Sequence, residues 1–252
     1  MQTYSDAPKM FVSGKALALW TVILLGVEAL AKLADIGVAT AQLVLASNYP
    51  ETVAAALGPG SADLSEMPGG NFQVIVSLLS QAVSFFGLFT RTATIVVFLV
   101  WLHRAYSNLP SLGVPHLDFS SGWVIGSWFV PFMNLVRPYR IVKYIWNNSD
   151  PETVGVKCGY YGASGNFTLK AWWGFWLLGS ISINIHGGAE NPNAHVAGGL
   201  AGIFSSGLTV IAACLAIAVV RDISSRQDER RKRLTDAAQQ QFWAAGASPN
   251  FT

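Results

Sequence analysis

The stretch Gly122–Arg140, GWVIGSWFVPFMNLVRPYR, decides how this chain is read. Its first half is apolar and aromatic, like a membrane span. Its second half holds Pro131, Asn134, Arg137, Pro138 and Arg140, which a lipid-facing helix avoids. A complete crossing here would reverse the side of everything downstream. Four other stretches are long and apolar enough to cross, at about 16–46, 72–102, 167–185 and 196–220. The third does so with Lys170 snorkelling to the interface.

Charge settles the expectation. The loop Ser47–Asn71 carries Glu51, Asp63 and Glu66 but no Lys or Arg, and His186–His195 carries only Glu190. Basic residues gather elsewhere. Lys9 and Lys15 precede the first span, Arg104 follows the second, and Arg137, Arg140, Lys143, Lys157 and Lys170 precede or open the third. Arg221, Arg226, Arg230, Arg231, Lys232 and Arg233 follow the last. If 122–140 crossed, Arg104 would lie opposite Arg137 and the basic tail would be outside. If it does not cross, every basic segment shares the cytoplasmic side, as the positive-inside rule requires. The expectation is therefore an all-α membrane protein with four transmembrane helices and both termini cytoplasmic. A proline-kinked re-entrant or interfacial helical element over 121–146 completes it on the cytoplasmic side, with a fully spanning kinked helix as the alternative. Trp101, Trp123, Trp128, Trp146, Trp172, Trp173 and Trp176 all fall on that side and read as interfacial anchors.

Composition agrees. Of the 252 residues 52% are hydrophobic and 12% charged, against about a quarter charged in soluble domains. Residues 1–230 read as one integral-membrane domain and 231–252 as a cytoplasmic tail. RQDERRKR (226–233) reads as a solvated charge run that touches anionic lipid. The first apolar run is too long for a signal peptide and is interrupted by Glu28, Lys32 and Asp35, so it reads as a retained helix. Cys158 and Cys214 make no disulfide framework, and Cys214 reads as a small buried hydrophobe.

Several groups are candidates for function. Glu28, Lys32 and Asp35 share one helix face and lie at the depth of Arg91, so a Glu28–Arg91 ion pair extended by Lys32 and Asp35 is expected. It serves either as a register-fixing structural pair or as a proton or ion path. Ala194, Gly198, Gly202 and Ser206 form a small-residue stripe for helix packing, internal or between copies. His186, Glu190 and His195 match no strong metal spacing, and neither metal nor haem ligation (His103 and His116 included) is expected. No nucleophile elbow, phosphate loop, HExxH or dinucleotide fingerprint is present, and no nucleic-acid patch. Asn134, Arg137 and Arg140 form a loose stripe, preceded by Arg104, Tyr106 and Asn108. Together these read as a pocket for lipid phosphate or another anion, or as arginines that snorkel and cap helix ends.

Three segments, WLHRAYSNLPSLG (101–113), FSSGWVIGSWFVPFMNLVRPYRIVKYIWNNSDP (119–151) and VVRDISSRQDER (219–230), resemble the DUF4328 family of bacterial multi-pass membrane proteins. The resemblance covers roughly residues 72–230. It implies a bacterial cytoplasmic-membrane protein of uncharacterised function and transfers no catalytic residue. It groups Arg104, Tyr106, Asn108, Trp123, Trp128, Pro131, Asn134, Arg137, Pro138 and Tyr139 into one structural or binding unit. The expected role is non-enzymatic: an accessory, scaffold or assembly subunit in contact with membrane lipids and with other membrane subunits or further copies. No cofactor is expected, though a bound lipid fits. A small transporter using the Glu28–Arg91 face, and a lipid-headgroup or quinone-binding protein using the Arg137 region, are the alternatives.

Overall fold

The computed structural model describes residues 10–57, 63–114, 116–153, 167–182 and 192–246. Their regular structure is helical, with turns and short non-helical stretches between and no strand among the described residues. The helices are α1 (Lys15–Asn48), α2 (Pro50–Leu57), α3 (Gly70–Ser107), α4 (Ser121–Gly126), α5 (Arg137–Asn148), α6 (Phe167–Ser182) and α7 (Pro192–Gly246). Among them α1, α3 and the Val196–Ala244 part of α7 are long and apolar enough to cross a membrane. Their 34, 38 and 55 residues correspond to about 50 to 80 Å of helix, beyond the roughly 30 Å of a hydrocarbon core. Prolines punctuate the chain where a helix tolerates them. Pro50 and Pro192 open α2 and α7, and Pro138 occupies the first turn of α5. The expected third span maps onto α6 and continues past Ser182 to residues outside those described.

The segment 121–146 is broken, and no piece of it is long enough to span. It comprises α4, a run of turns, a 3-10 turn at Met133–Leu135 and α5. The break falls at Pro131-Phe132. Met133 N–H bonds to Pro131 O at 2.7 Å, and Phe132 lies between them at φ 61°, ψ −37°. That is a tight three-residue turn a bulky side chain rarely adopts. A single proline-kinked helix across the bilayer is therefore not what forms.

The chain divides into two compact units. One comprises Ile23–Ile95 and Lys170–Ile217. Within it, Leu45, Val53 and Val76 from α1, α2 and α3 form a buried cluster, joined by Val38, Ala41 and Ala46. Thr52 donates its hydroxyl to Pro68 O at 2.8 Å, tying α2 to the turn before α3. In that turn Ser65 donates both its hydroxyl (2.6 Å) and its amide (3.0 Å) to Asp63, and these bonds hold the Asp63 carboxyl below its usual range. Gly69 takes φ +77° and Gly70 packs against Leu64 so closely that a Cβ would lie 1.7 Å from Leu64 O.

The expected charge network is rearranged. Lys32 and Asp35 pair at 2.6 Å along α1. The buried Glu28 carboxylate instead meets the Thr90 hydroxyl at 3.2 Å, and the expected Glu28–Arg91 ion pair is not formed. The cause is angular. Arg91 lies one residue, about 100°, round α3 from Thr90, and the face turned to Glu28 carries the buried Thr90 and Thr94. Within this chain, close approaches made by α7 fall one residue from Gly198 and Ser206 of the expected stripe. A Cβ at Gly198 would meet nothing, whereas one at Gly199 would lie 2.9 Å from Leu43. Buried Ser205, not Ser206, donates to Gly179 O at 3.3 Å, and Thr209 stands against Gly179. Ala194 and Gly202 lie in α7. Cys214, expected inside, is exposed on this chain's surface.

Two outcomes are expected for purified protein in detergent. Gly70→Ala lowers unfolding stability by about 1–3 kcal/mol, whereas Gly37→Ala, with open space at its Cβ, is neutral or raises it by up to about 1 kcal/mol. Thr90→Val leaves the Glu28 carboxylate without its hydroxyl and costs about 1–3 kcal/mol, while Arg91→Ala changes stability by less than about 0.5 kcal/mol. Denaturant titrations followed by tryptophan fluorescence distinguish the members of each pair.

Candidate functional site

The second unit comprises Met1–Val22, Val96–Leu169 and Ala218–Thr252. Its polar groups begin at the end of α3. Trp101, Ala105 and Asn108 recur at i, i+4 and i+7, so they share one face, and all three are buried. α7 supplies the partners. Ser224 Oγ receives the Trp101 indole N–H at 3.2 Å. Gln227 Nε2 donates to Ala105 O at 2.8 Å and to Ser149 Oγ at 3.2 Å. That carbonyl needs a donor because α3 is ending: Leu109 N–H turns to Tyr106 O, and Pro110 has no N–H.

One turn further along α7, Arg230 is 1% exposed, although the sequence places it in a charge run. Its Nε donates to Leu112 O at 2.8 Å, and its Nη1 donates to Asp150 O at 2.5 Å and Thr153 Oγ1 at 2.9 Å. Arg226 stacks on Trp146 at 4.6 Å and approaches Asp150 Oδ2 at 3.5 Å. Asp150 Oδ1 accepts the Glu152 amide at 3.0 Å and starts the 3-10 turn Pro151–Thr153. RQDERRKR is thus divided. Gln227 and Arg230 are buried and bind the end of α3 and the turns that follow α3 and α5, while among the described residues Arg233 pairs only with exposed Glu229. The signal in the sequence is periodic: Ala216, Val219, Val220 and Ile223 are buried, and Gln227 and Arg230 continue that seam at helical spacing.

The loop before α4 is held the same way. The Tyr106 hydroxyl donates to Phe119 O and accepts the Phe119 amide at 2.9 Å. The Tyr144 hydroxyl donates to His116 O at 3.1 Å. Burial and the nearby Asp118 carboxylate push the Tyr144 phenol above its usual range. Phe119 packs edge-on against Tyr144 with ring centroids 5.7 Å apart. It also lies 6.0 Å from the Arg137 guanidinium, which covers the Trp123 ring at 4.5 Å and contacts Met133 Sδ at 3.3 Å. Tyr106, Phe119, Arg137 and Trp123 are therefore contiguous, although sequence reading missed Phe119 and Tyr144.

The other expected members divide. Asn108 bonds to the main chain of Val12. Trp128 packs edge-on against Phe98 at 5.5 Å. Pro138 is buried in the first turn of α5, whereas Pro131 is exposed. Tyr139 and Arg140 lie along α5, and the Asn134 side chain makes no hydrogen bond among the described residues. Arg104 is half-buried, with Gly14 facing its Cγ. Trp101, Trp146, Trp172 and Trp173 are buried in protein, so they pack the fold instead of lying free at an interface; Trp123 remains exposed. Among the described residues no three His, Cys, Asp or Glu side chains are grouped for a metal. His186 and Glu190 lie outside the described residues, as does the His195 side chain.

Among the described residues, three helices fit to cross a membrane, with a set of short helices whose ends polar side chains bind, define the class. The family model described as Domain of unknown function (DUF4328) matches residues 75–225, and the chain belongs to that family. No curated protein and no solved structure matches the chain. The match contains Trp101, Tyr106, Asn108, Trp123, Arg137 and Asp150, and ends just before Arg226, Gln227 and Arg230.

Replacing Arg230 by Ala removes a charge-assisted donor set from two buried turns. It is expected to lower stability by about 2–3 kcal/mol or more. Arg230→Lys rescues little of this because the planar fork is lost. Arg233→Ala stays within about 0.5 kcal/mol. Thermal melts of the three variants read the difference.

Proposed function

We propose that this protein is a non-enzymatic accessory, scaffold or assembly subunit of a larger complex in the bacterial cytoplasmic membrane. In this reading it has four spans and cytoplasmic termini, and 121–146 is a re-entrant or interfacial element on the cytoplasmic face. The observation that carries it is the destination of the polar side chains. Tyr106, Asn108, Gln227 and Arg230 end on main-chain groups of the same unit. Groups spent on shape do not perform proton transfer or nucleophilic attack. The basic segments support the topology through the positive-inside rule. Large apolar side chains left exposed on α3, among them Phe85, Phe86, Leu88 and Phe89, offer surface for lipid or for other subunits.

A lipid-headgroup role is a second reading, favoured by Arg137. Its guanidinium is held over Trp123 and forms no ion pair among the described residues. A transport path along Glu28, Lys32, Asp35 and Arg91 is a third, weakened by the Glu28–Thr90 pairing.

One preparation tests these readings. Mild-detergent purification from native membranes is expected to carry a defined partner protein in fixed ratio. A monodisperse monomer that reproducibly brings nothing with it overturns the accessory role. Native mass spectrometry of that material is expected to find no lipid whose retention depends on Arg137; loss of a specific anionic lipid in Arg137→Ala moves the assignment to headgroup binding.

A further inference from the structure

The segment before α1 lies outside the family match yet is held by family-motif residues. Met10–Gly14 is non-helical. Asn108, 3% exposed, accepts the Val12 amide on Oδ1 at 3.2 Å and donates from Nδ2 to Val12 O at 2.9 Å. One carboxamide therefore satisfies both main-chain groups of a single residue. The Val12 side chain is 46% exposed and Met10 88%, so the clamp reads backbone and not these side chains. The flanking contacts are more selective. Phe11 lies under the Arg231 guanidinium at 4.6 Å. A Cβ added at Gly14 would meet Arg104 Cγ at 3.8 Å, an ordinary contact, so that position sets no size limit. The Lys15 ammonium reaches Asp228 at 3.6 Å. Behind the segment is a cleft whose far wall includes Trp101, Ala105, Ser224 and Gln227.

We propose that this cleft is a recognition site for a non-helical polypeptide segment, occupied in cis by the chain's own Phe11–Gly14 with Lys15 at the start of α1. The ligand chemistry follows from the occupant. The site takes a non-helical backbone at the clamped residue, an aromatic ring one position before it and a cation three positions after. A main-chain clamp supplies affinity with little dependence on sequence, and the flanking contacts select. The held segment acts as an internal competitor, so a partner segment binds only as the strap lifts away, and its apparent affinity falls by the fraction of strap still bound. The inference deepens the accessory-subunit reading and rests on it for the existence of a partner. The cleft itself is tested without one.

The probe is a fluorescein-labelled peptide of the Met10–Lys15 sequence, MFVSGK, measured by fluorescence anisotropy against detergent-solubilised protein. A chain lacking residues 1–12 and carrying Lys15→Ala vacates the Asn108 clamp, the Arg231 face and Asp228, and keeps Ser13 at the start of α1. It is expected to bind the peptide about tenfold or more tightly than the intact chain. Asn108→Ala in the shortened chain, or N-methylation of the peptide's valine amide against unaltered shortened chain, is expected to weaken binding about tenfold or more. If the shortened chain does not fold, full-length Phe11→Ala/Lys15→Ala, with the strap loosened, takes its place. Folded protein that fails to bind, or that binds the N-methylated peptide equally well, overturns the proposal. That failure beside a co-purifying partner removes the cleft and keeps the accessory role; binding without any partner does the reverse.

Discussion

A buried guanidinium bonded to carbonyls of two turns is the interaction on which the short-helix unit depends. Arg230 reaches Leu112 after α3 and both Asp150 and Thr153 after α5. Each turn ends a helix, and helix ends leave carbonyls without partners. Buried carbonyls of that kind cost free energy unless a donor is brought to them. Arg230 brings a planar, permanently charged donor set from a helix already packed beside both. One turn earlier Gln227 brings a donor to the Ala105 carbonyl and to the Ser149 hydroxyl. On either side of the Pro131 break, α5 is held by its buried face of Ile141, Val142, Tyr144, Ile145 and Trp146 and by the bonds from α7 to the residues just after it, and α4 by the Arg137 guanidinium over Trp123.

The two units use polar chemistry differently, and the difference is physical. In the unit of long apolar stretches most side-chain hydroxyls bond back to their own helix, as Thr40, Thr92 and Thr94 do. Such bonds keep a polar atom satisfied where water is scarce. Thr90 with Glu28, Ser205 with Gly179 and Thr52 with Pro68 are exceptions, the first linking α1 to α3 between side chains. In the other unit polar side chains bond across long separations: Asn108 to Val12, Tyr106 to Phe119, Arg230 to Leu112. Main chain that turns often has free donors and acceptors, and side chains are the groups able to reach them. Aromatic rings fill the spaces between, with Arg226 on Trp146 and Arg137 on Trp123 placing cations over ring faces.

Much of this was legible in one dimension. Apolar length marks α1, α3 and α7; Pro131 with Pro138 marks the broken stretch; the motif residues Tyr106 and Asn108 stand out by being polar beside an apolar run. What misled was the reading of charge and aromaticity as surface properties. Arg230 sits in a run of seven charges within eight residues and is inside. Trp101, Trp146, Trp172 and Trp173 look like an interfacial girdle and are packed in protein. Glu28 was matched with Arg91 by depth, but a helix places adjacent residues about 100° apart, and that rotation gave the contact to Thr90.

The sequence by itself determined where helices run, where they cannot continue and to which family the chain belongs, because backbone propensity, apolar period and proline's missing donor act locally. Tertiary structure alone decided which face of each helix turns inward and which main-chain groups need a partner. Those depend on residues about a hundred positions apart, as Val12 and Asn108 or Leu112 and Arg230 are. A carbonyl is orphaned only once its turn has formed, and Arg230 becomes a structural residue only when α7 carries it to that carbonyl.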